Sequence, residues 1–258
     1  MSYNDKWIHI MLTNKPNGFT LIELAVVLFI VGLILAGILT PMATSVESSR
    51  RSILQEQYDD IKEVLIGFAI VNGRLPCPDC PDDTTGNCAA GDENDGIEDG
   101  DADGSCKVGV LAQAEGNLPW VTLGVTGIDP WGRTLVYQVQ QNYADTTDGT
   151  GASCSIKTGV SFQLCSSAGI TIQDKGDVDD GCLAAPAPEA VATNVPLVVY
   201  SQGRQTATSC NELENTGGDN VFVVMDYNQT AGTYYDDMIL WISPFLLNSR
   251  MVEAELLP

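Results

Sequence analysis

From Phe19 to Leu39 the chain reads FTLIELAVVLFIVGLILAGIL, and between Leu24 and Leu39 it has no polar side chain. As a helix this run extends about 31 Å at ~1.5 Å per residue, enough to cross a bilayer core. The residues ahead of it are mostly polar and carry Lys6 and Lys15, which by charge asymmetry keeps the N-terminus cytoplasmic and sends the remainder outside. Beyond it the pattern changes: Ile53, Tyr58, Ile61, Leu65 and Phe68 recur every three to five residues, predicting an amphipathic stripe that packs on a sheet. Pro41 predicts a kink between these two stretches, and Asn72-Gly73 a helix end with Gly73 at the C-cap. Further on, VGVLAQ, TLVYQVQ, VSFQLC, ITIQ, PLVVYS, NVFVVMD and MILWIS alternate with Gly, Asn and Thr turns, the signature of antiparallel strands.

The expected fold is therefore α+β: a long N-terminal transmembrane and amphipathic helix packed on an antiparallel sheet, with disulfide-rich loops. The expected organisation is a leader over 1–18, a transmembrane and assembly helix over 19–40, an amphipathic periplasmic helix over 41–73 and a β-rich domain over 74–258. Inside the last lies a loop-rich insert, 75–106, with ten acids and no Lys or Arg.

Composition sharpens this picture. Thirty-four acids against 12 Lys and Arg give a formal net charge of −22, which argues against nucleic-acid partners, since phosphate contacts need clustered cations. All eight cysteines, Cys77, Cys80, Cys88, Cys106, Cys154, Cys165, Cys182 and Cys210, follow the apolar run. An even number confined to the exported side reads as disulfides formed in an oxidising compartment. Cys154 and Cys165 flank an expected hairpin and are the first pairing to consider; Cys182–Cys210 is a second, within roughly a hundred possible connectivities. Cys77-Pro78-Asp79-Cys80 also admits a thioredoxin-type or zinc reading, but its prolines argue for an extended turn and the later spacings are irregular. The single histidine, His9, lies in the leader, and no nucleophile–base–orienter trio is visible, so no enzyme is expected.

Glu23 decides between classes of export segment. A carboxylate inside an apolar span costs on the order of 2–4 kcal/mol and calls for a partner or a function. The stretch Gly18-Phe19-Thr20-Leu21-Ile22-Glu23 resembles the prepilin signature, a Gly, a Phe and a Glu at the fifth mature position. The resemblance implies cleavage after Gly18 by a prepilin peptidase and methylation of the new amino group of Phe19. It also implies contact of Glu23 with the amine of a neighbouring pilin or pseudopilin subunit, and use of an inner-membrane assembly platform. The charge logic is general: a buried carboxylate is tolerated where an ammonium compensates it. A secretory signal would have a shorter apolar core and a small-residue cleavage site; a plain signal anchor would have no use for Glu23.

Two further stretches resemble the major pseudopilin of type II secretion systems. Asp129-Pro130-Trp131-Gly132 looks like that family's D-P-W-G turn. The order Ser201-Gln202-Gly203, Gly217-Gly218-Asp219 and Asp236-Asp237-Met238-Ile239-Leu240-Trp241 resembles its later S-x-G, G-G and D-D-I-x-x-W elements. There the intervening loop binds calcium, so the resemblance nominates Ser201, Asp219, Asp236 and Asp237 as ligands, with Asp237 favoured. The sequence departs from the family in the sixteen residues between Asp219 and Asp236, in the acidic Cys-rich insert and in the apolar tail after Trp241. Independently, Asp99-Gly100-Asp101-Ala102-Asp103-Gly104 matches the opening of a D-x-D-x-D-G calcium loop, with Asp99, Asp101 and Asp103 as donors. Its twelfth position is Val110 in place of the closing Glu.

The function expected from these features is a filament subunit of a type IV pilus or a type II secretion system. The precursor would be a single-pass inner-membrane protein with a periplasmic domain, later moved into a periplasmic or surface filament. A minor or tip subunit with a ligand-binding domain is one alternative. A membrane-anchored periplasmic enzyme or binding protein is the other.

Overall fold

The computed structural model describes residues 18–81, 88, 93–100, 105–107, 113–145, 159–176, 182, 187–205, 209–230 and 233–258, with backbone alone for 35–44 and 113. The chain divides into two compact units, Met1–Ser49 and Arg50–Pro258. Helix α1, Leu21–Asn72, supplies most of the described part of the first and opens the second. It remains helical through Pro41, where the sequence predicts a kink.

In the first unit the helix begins on Thr20, whose hydroxyl accepts from the Glu23 N–H at 3.3 Å while its carbonyl accepts from the Leu24 N–H. This is half of a capping box, and it sets Glu23 in the first turn, where the helix dipole favours a carboxylate. Phe19, Leu21, Ile22, Leu24 and the large apolar residues after them as far as Ile34 are exposed all round the helix. Among the described residues no helix is long and apolar enough to cross a membrane; their apolar stretch ends at Ile34, and the sequence run continues to Leu39.

The second unit has three layers. One face of α1 buries Leu54, Tyr58, Ile61, Leu65 and Ala69, at spacings of four and three. The expected stripe is displaced at its start: Ile53 lies off this face and is half exposed, because a step of five to Tyr58 rotates it away. Gly73 ends the helix at φ +70°, and a Cβ there would stand 2.0 Å from the Gly159 carbonyl oxygen, so both backbone angle and space demand glycine.

The middle layer is a four-stranded antiparallel sheet, order β1-β2-β5-β7, made of Gln113–Asn117, Val136–Gln140, Leu197–Ser201 and Met238–Trp241. Its side chains alternate strictly between two cores. Tyr137, Val139, Leu197, Val199, Met238 and Leu240 join the α1 stripe. Val136, Val198, Tyr200, Ile239 and Trp241 join Ile170, Ile172, Val195 and Phe222 of the outer sheet. Burial on both faces explains why β5 reads as a continuous apolar run. The outer sheet has order β4-β3-β6, with β3 Ile170–Gln173, β4 Ala190–Val195 and β6 Val221–Val223. Here β3 and β6 pair in parallel, unlike the antiparallel pairing expected throughout.

Three local expectations change. VSFQLC forms no strand: Val160 and Phe162 are core, with Phe162 stacked on Tyr143 at 4.8 Å, but the Ser161 N–H bonds the Gly73 carbonyl and the Gln163 N–H bonds the Ser166 hydroxyl. Of VGVLAQ, Gln113 alone belongs to a described strand. The apolar tail is a helix, α5 Pro244–Glu253, started by Ser243, whose hydroxyl accepts from the Phe245 N–H, and by Pro244 in the first turn. It places Leu247 and Met251 in the helix-side core.

The insert is fastened to the edge of the middle sheet. Asp79 and Asn117 exchange backbone hydrogen bonds of 3.0 and 2.8 Å, which covers the outer side of β1. Disulfides join Cys77 to Cys106, Cys80 to Cys88 and Cys182 to Cys210. Cys77-x-x-Cys80 is thus divided between two bridges, which removes both the vicinal redox pair and a four-thiolate zinc knot. Cys165 is also disulfide-bonded; Cys154 lies outside the described residues.

Candidate functional site

Two turns and one helix converge at one end of the middle sheet. At the first turn Asp129 caps its own loop: Oδ1 accepts from the Trp131 and Arg133 N–H groups, both at 2.9 Å, and Gly132 adopts φ +89°. Its Oδ2 accepts from the Ser201 hydroxyl at the end of β5 at 2.5 Å, and Ser201 Oγ accepts in turn from the Gly203 N–H. Gly203 has φ +59°, and a Cβ there would lie 2.5 Å from Asp236 Oδ1, so the Asp236 carboxylate rests directly on this glycine. Asp236 Oδ2 accepts from the Arg204 and Gln205 N–H groups and from the Tyr234 hydroxyl.

Beside them stands α4, Cys210–Glu214, opened by a capping box between Ser209 and Glu212. Glu212 Oε1 also accepts from the Asp236 N–H at 3.2 Å. Asn215, just past α4, donates to Asp237 Oδ2 at 2.8 Å. Glu212, Asp236 and Asp237 are all buried, and their carboxylates each place an oxygen within 4.8 Å of the others. Two oxygens, Asp236 Oδ1 and Asp237 Oδ1, are buried without a hydrogen-bond donor.

The electrostatics follow from this crowding. Burial pushes the Asp237 carboxyl up to about 8, with Glu212 and Asp236 adding to the rise and the Asn215 amide and Arg133 opposing it. Burial also raises Asp236, against the Tyr234 hydroxyl and the Gln205 and Arg204 N–H groups. Three buried carboxylates with two orphaned oxygens need either protons or a cation. An all-oxygen donor set of this kind suits a hard cation such as calcium.

The nominated ligands are thus divided. Asp236 and Asp237 come together; Ser201 lies beside them but donates its hydroxyl to Asp129. Asp219 is exposed, its carboxylate capping the Val221 N–H at 2.7 Å, and takes no part in the cluster. Asp99 serves the insert itself, accepting from the Cys80 N–H at 2.9 Å and pairing with Lys107 at 3.3 Å. Asp101 and Asp103 lie outside the described residues. Glu212 escaped the sequence reading because it stands alone, 24 residues from Asp236; its sole local signal is the S-x-x-E capping pattern.

The second functional element is linear. Gly18, Phe19 and Glu23 sit at the head of α1, ahead of the exposed apolar surface. Residues 13–39 match the family model of the prokaryotic N-terminal methylation motif. This motif implies processing by prepilin peptidase, assembly with other pilins and a precursor anchored in the inner membrane with an extracytoplasmic domain. Pilin-like proteins that carry it are typically structural and not enzymatic. No curated protein and no solved structure matches the chain.

Proposed function

We propose that the protein is a subunit of a type IV pilin-like filament, cut after Gly18 and methylated on Phe19. The observation that carries this reading is the methylation motif at the head of a helix whose apolar side chains are exposed from Phe19 to Ile34 among the described residues. Such a surface is stable in lipid or against copies of itself, and a filament core provides the second. Glu23 would neutralise the Phe19 amine of the neighbouring subunit during assembly.

Within that reading the subunit would be a pseudopilin of a type II secretion system. The support is local: the D-P-W-G turn, Ser201-x-Gly203 and Asp236-Asp237 adjoin one another at one end of the sheet, as one functional loop system would. Glu212, Asp236 and Asp237 would hold a calcium ion, which would supply the positive charge their buried oxygens lack and fix the loop entering β7.

The test is the intact mass and N-terminal peptide map of the chain expressed with and without a prepilin peptidase. The reading expects a mature chain starting at N-methylated Phe19 only when the peptidase is present. A chain starting at Met1 in both cultures, or cut elsewhere, refutes it.

A further inference from the structure

The insert holds a buried acid that the site above does not use. Asp79 is fully buried, and neither of its carboxylate oxygens has a donor in good hydrogen-bond geometry; the Gly96 N–H and the Asn117 amide make only weak contacts with it. Its backbone cannot retreat: it is paired with Asn117, a Cβ on Gly116 would stand 2.4 Å from the Asp79 carbonyl oxygen, and disulfides hold Cys77 and Cys80 close by on either side.

The turn over residues 94–99 wraps around this acid. The Asn94 N–H donates to the Cys80 carbonyl at 2.7 Å, the Asp99 N–H to the Pro78 carbonyl at 3.2 Å, and Cys80 returns a bond to Asp99 Oδ2. Asn94 and Gly96 sit at φ +53° and +78°, turning the chain tightly over Asp79. The nearest donors to the carboxylate are the Gly96 N–H and the Asn117 amide, and the latter bonds Asn94 Oδ1 at 3.2 Å. The charges that face it, Asp95 and Asp99, are negative. The two basic side chains of this region are engaged elsewhere, Arg74 by Glu98 in a two-bond pair at 2.7 and 2.9 Å and Lys107 by Asp99. Burial raises the Asp79 carboxyl to about 6, which agrees with an acid lacking a counter-charge.

We propose that a hard divalent cation, calcium by the donor chemistry, binds between the buried Asp79 carboxylate and the turn that carries Asn94 and Asp95. The Asp79 oxygens lack a well-formed hydrogen bond, the exposed Asp95 adds negative charge with one oxygen on the Ile97 N–H, and the Asn94 amide oxygen, which accepts from the Asn117 amide, adds a neutral donor. Oxygen donors of this mixture are those calcium takes. The ion would clamp the 94–99 turn onto the Cys77–Cys80 segment and so tie the acidic insert to the sheet edge. This site is separate from the Glu212 cluster and stands whatever filament the chain serves.

The experiment is a calcium titration of the full chain in detergent, by calorimetry and native mass spectrometry. It uses Asp237→Asn, which disables the other cluster, alone and combined with Asp79→Asn. The proposal expects one calcium on the Asp237→Asn chain, none on the double variant, and a melting temperature that rises with calcium only in the former. Asp95→Asn, an exposed change that cannot unfold the insert, should weaken binding in the Asp237→Asn background at least tenfold. Equal binding by the single and double variants, including no binding by either, overturns the proposal. So does a double variant that merely melts higher without calcium, since Asp79 would then hold a proton instead of an ion; unchanged affinity in the Asp95→Asn chain overturns it equally.

Discussion

The two halves of α1 carry similar side chains to opposite fates. Leu54, Tyr58, Ile61, Leu65 and Ala69 are at most 2% exposed against the middle sheet, whereas Leu21, Leu28 and Phe29 are 89%, 63% and 68% exposed. The difference lies in periodicity. The later half confines its apolar residues to one stripe, so its other face can meet water. The earlier half is apolar on every side and has a single acid, Glu23, so its surface is satisfied only by lipid or by another apolar surface. One half buries its apolar surface inside the chain, and the other leaves it exposed.

The largest effect should come from Glu23→Ala, which on the filament reading reduces sheared filament recovered from cells to background while leaving the melting temperature of the globular domain unchanged. Loss of both would mean that the two halves are not separable. The converse change, Leu65→Ala, should cost about 2–5 kcal/mol of domain stability, because a fully buried leucine leaves a cavity. Denaturant unfolding measures it, and peptidase cleavage after Gly18 should proceed as before.

A third prediction concerns pH. An Asp237 carboxyl at about 8 in the folded chain, against about 3.9 unfolded, means the native state binds the extra proton between those values. Without divalent cations, stability should therefore fall as pH rises from about 4 to 8, by up to a few kcal/mol. Asp237→Asn should flatten that slope, and calcium should restore stability at the upper end; thermal melts across pH with and without chelator decide this. A slope unchanged in the variant would mean that the cluster is not where the charge is buried.

The smallest effect sharpens the boundary of the helix. Gly73→Ala should cost about 1 kcal/mol or more, since its φ is positive and the Gly159 carbonyl leaves no room. The same change at Gly67, where a Cβ meets nothing within 4 Å, should be neutral or stabilising. Comparing the two melting temperatures separates backbone demand from simple helix propensity.

What the sequence determined is what depends on neighbours along the chain. The apolar run, the Gly18-Phe19-Glu23 motif, the stop at Gly73 and strands such as ITIQ and PLVVYS are local patterns, and period alone reveals them. It misplaced features whose cause is distant. VSFQLC alternates like a strand, yet its backbone bonds to Gly73 and Ser166 instead of a ladder. β4 is largely exposed and gave no signal, and β3 and β6 pair in parallel across a long crossover. The division of Cys77 and Cys80 between two bridges, and the meeting of Glu212 with Asp236 and Asp237, also required the folded chain. Disulfides and carboxylate clusters join residues by proximity in space, and in this protein the sheet and α4, not sequence spacing, bring them within reach.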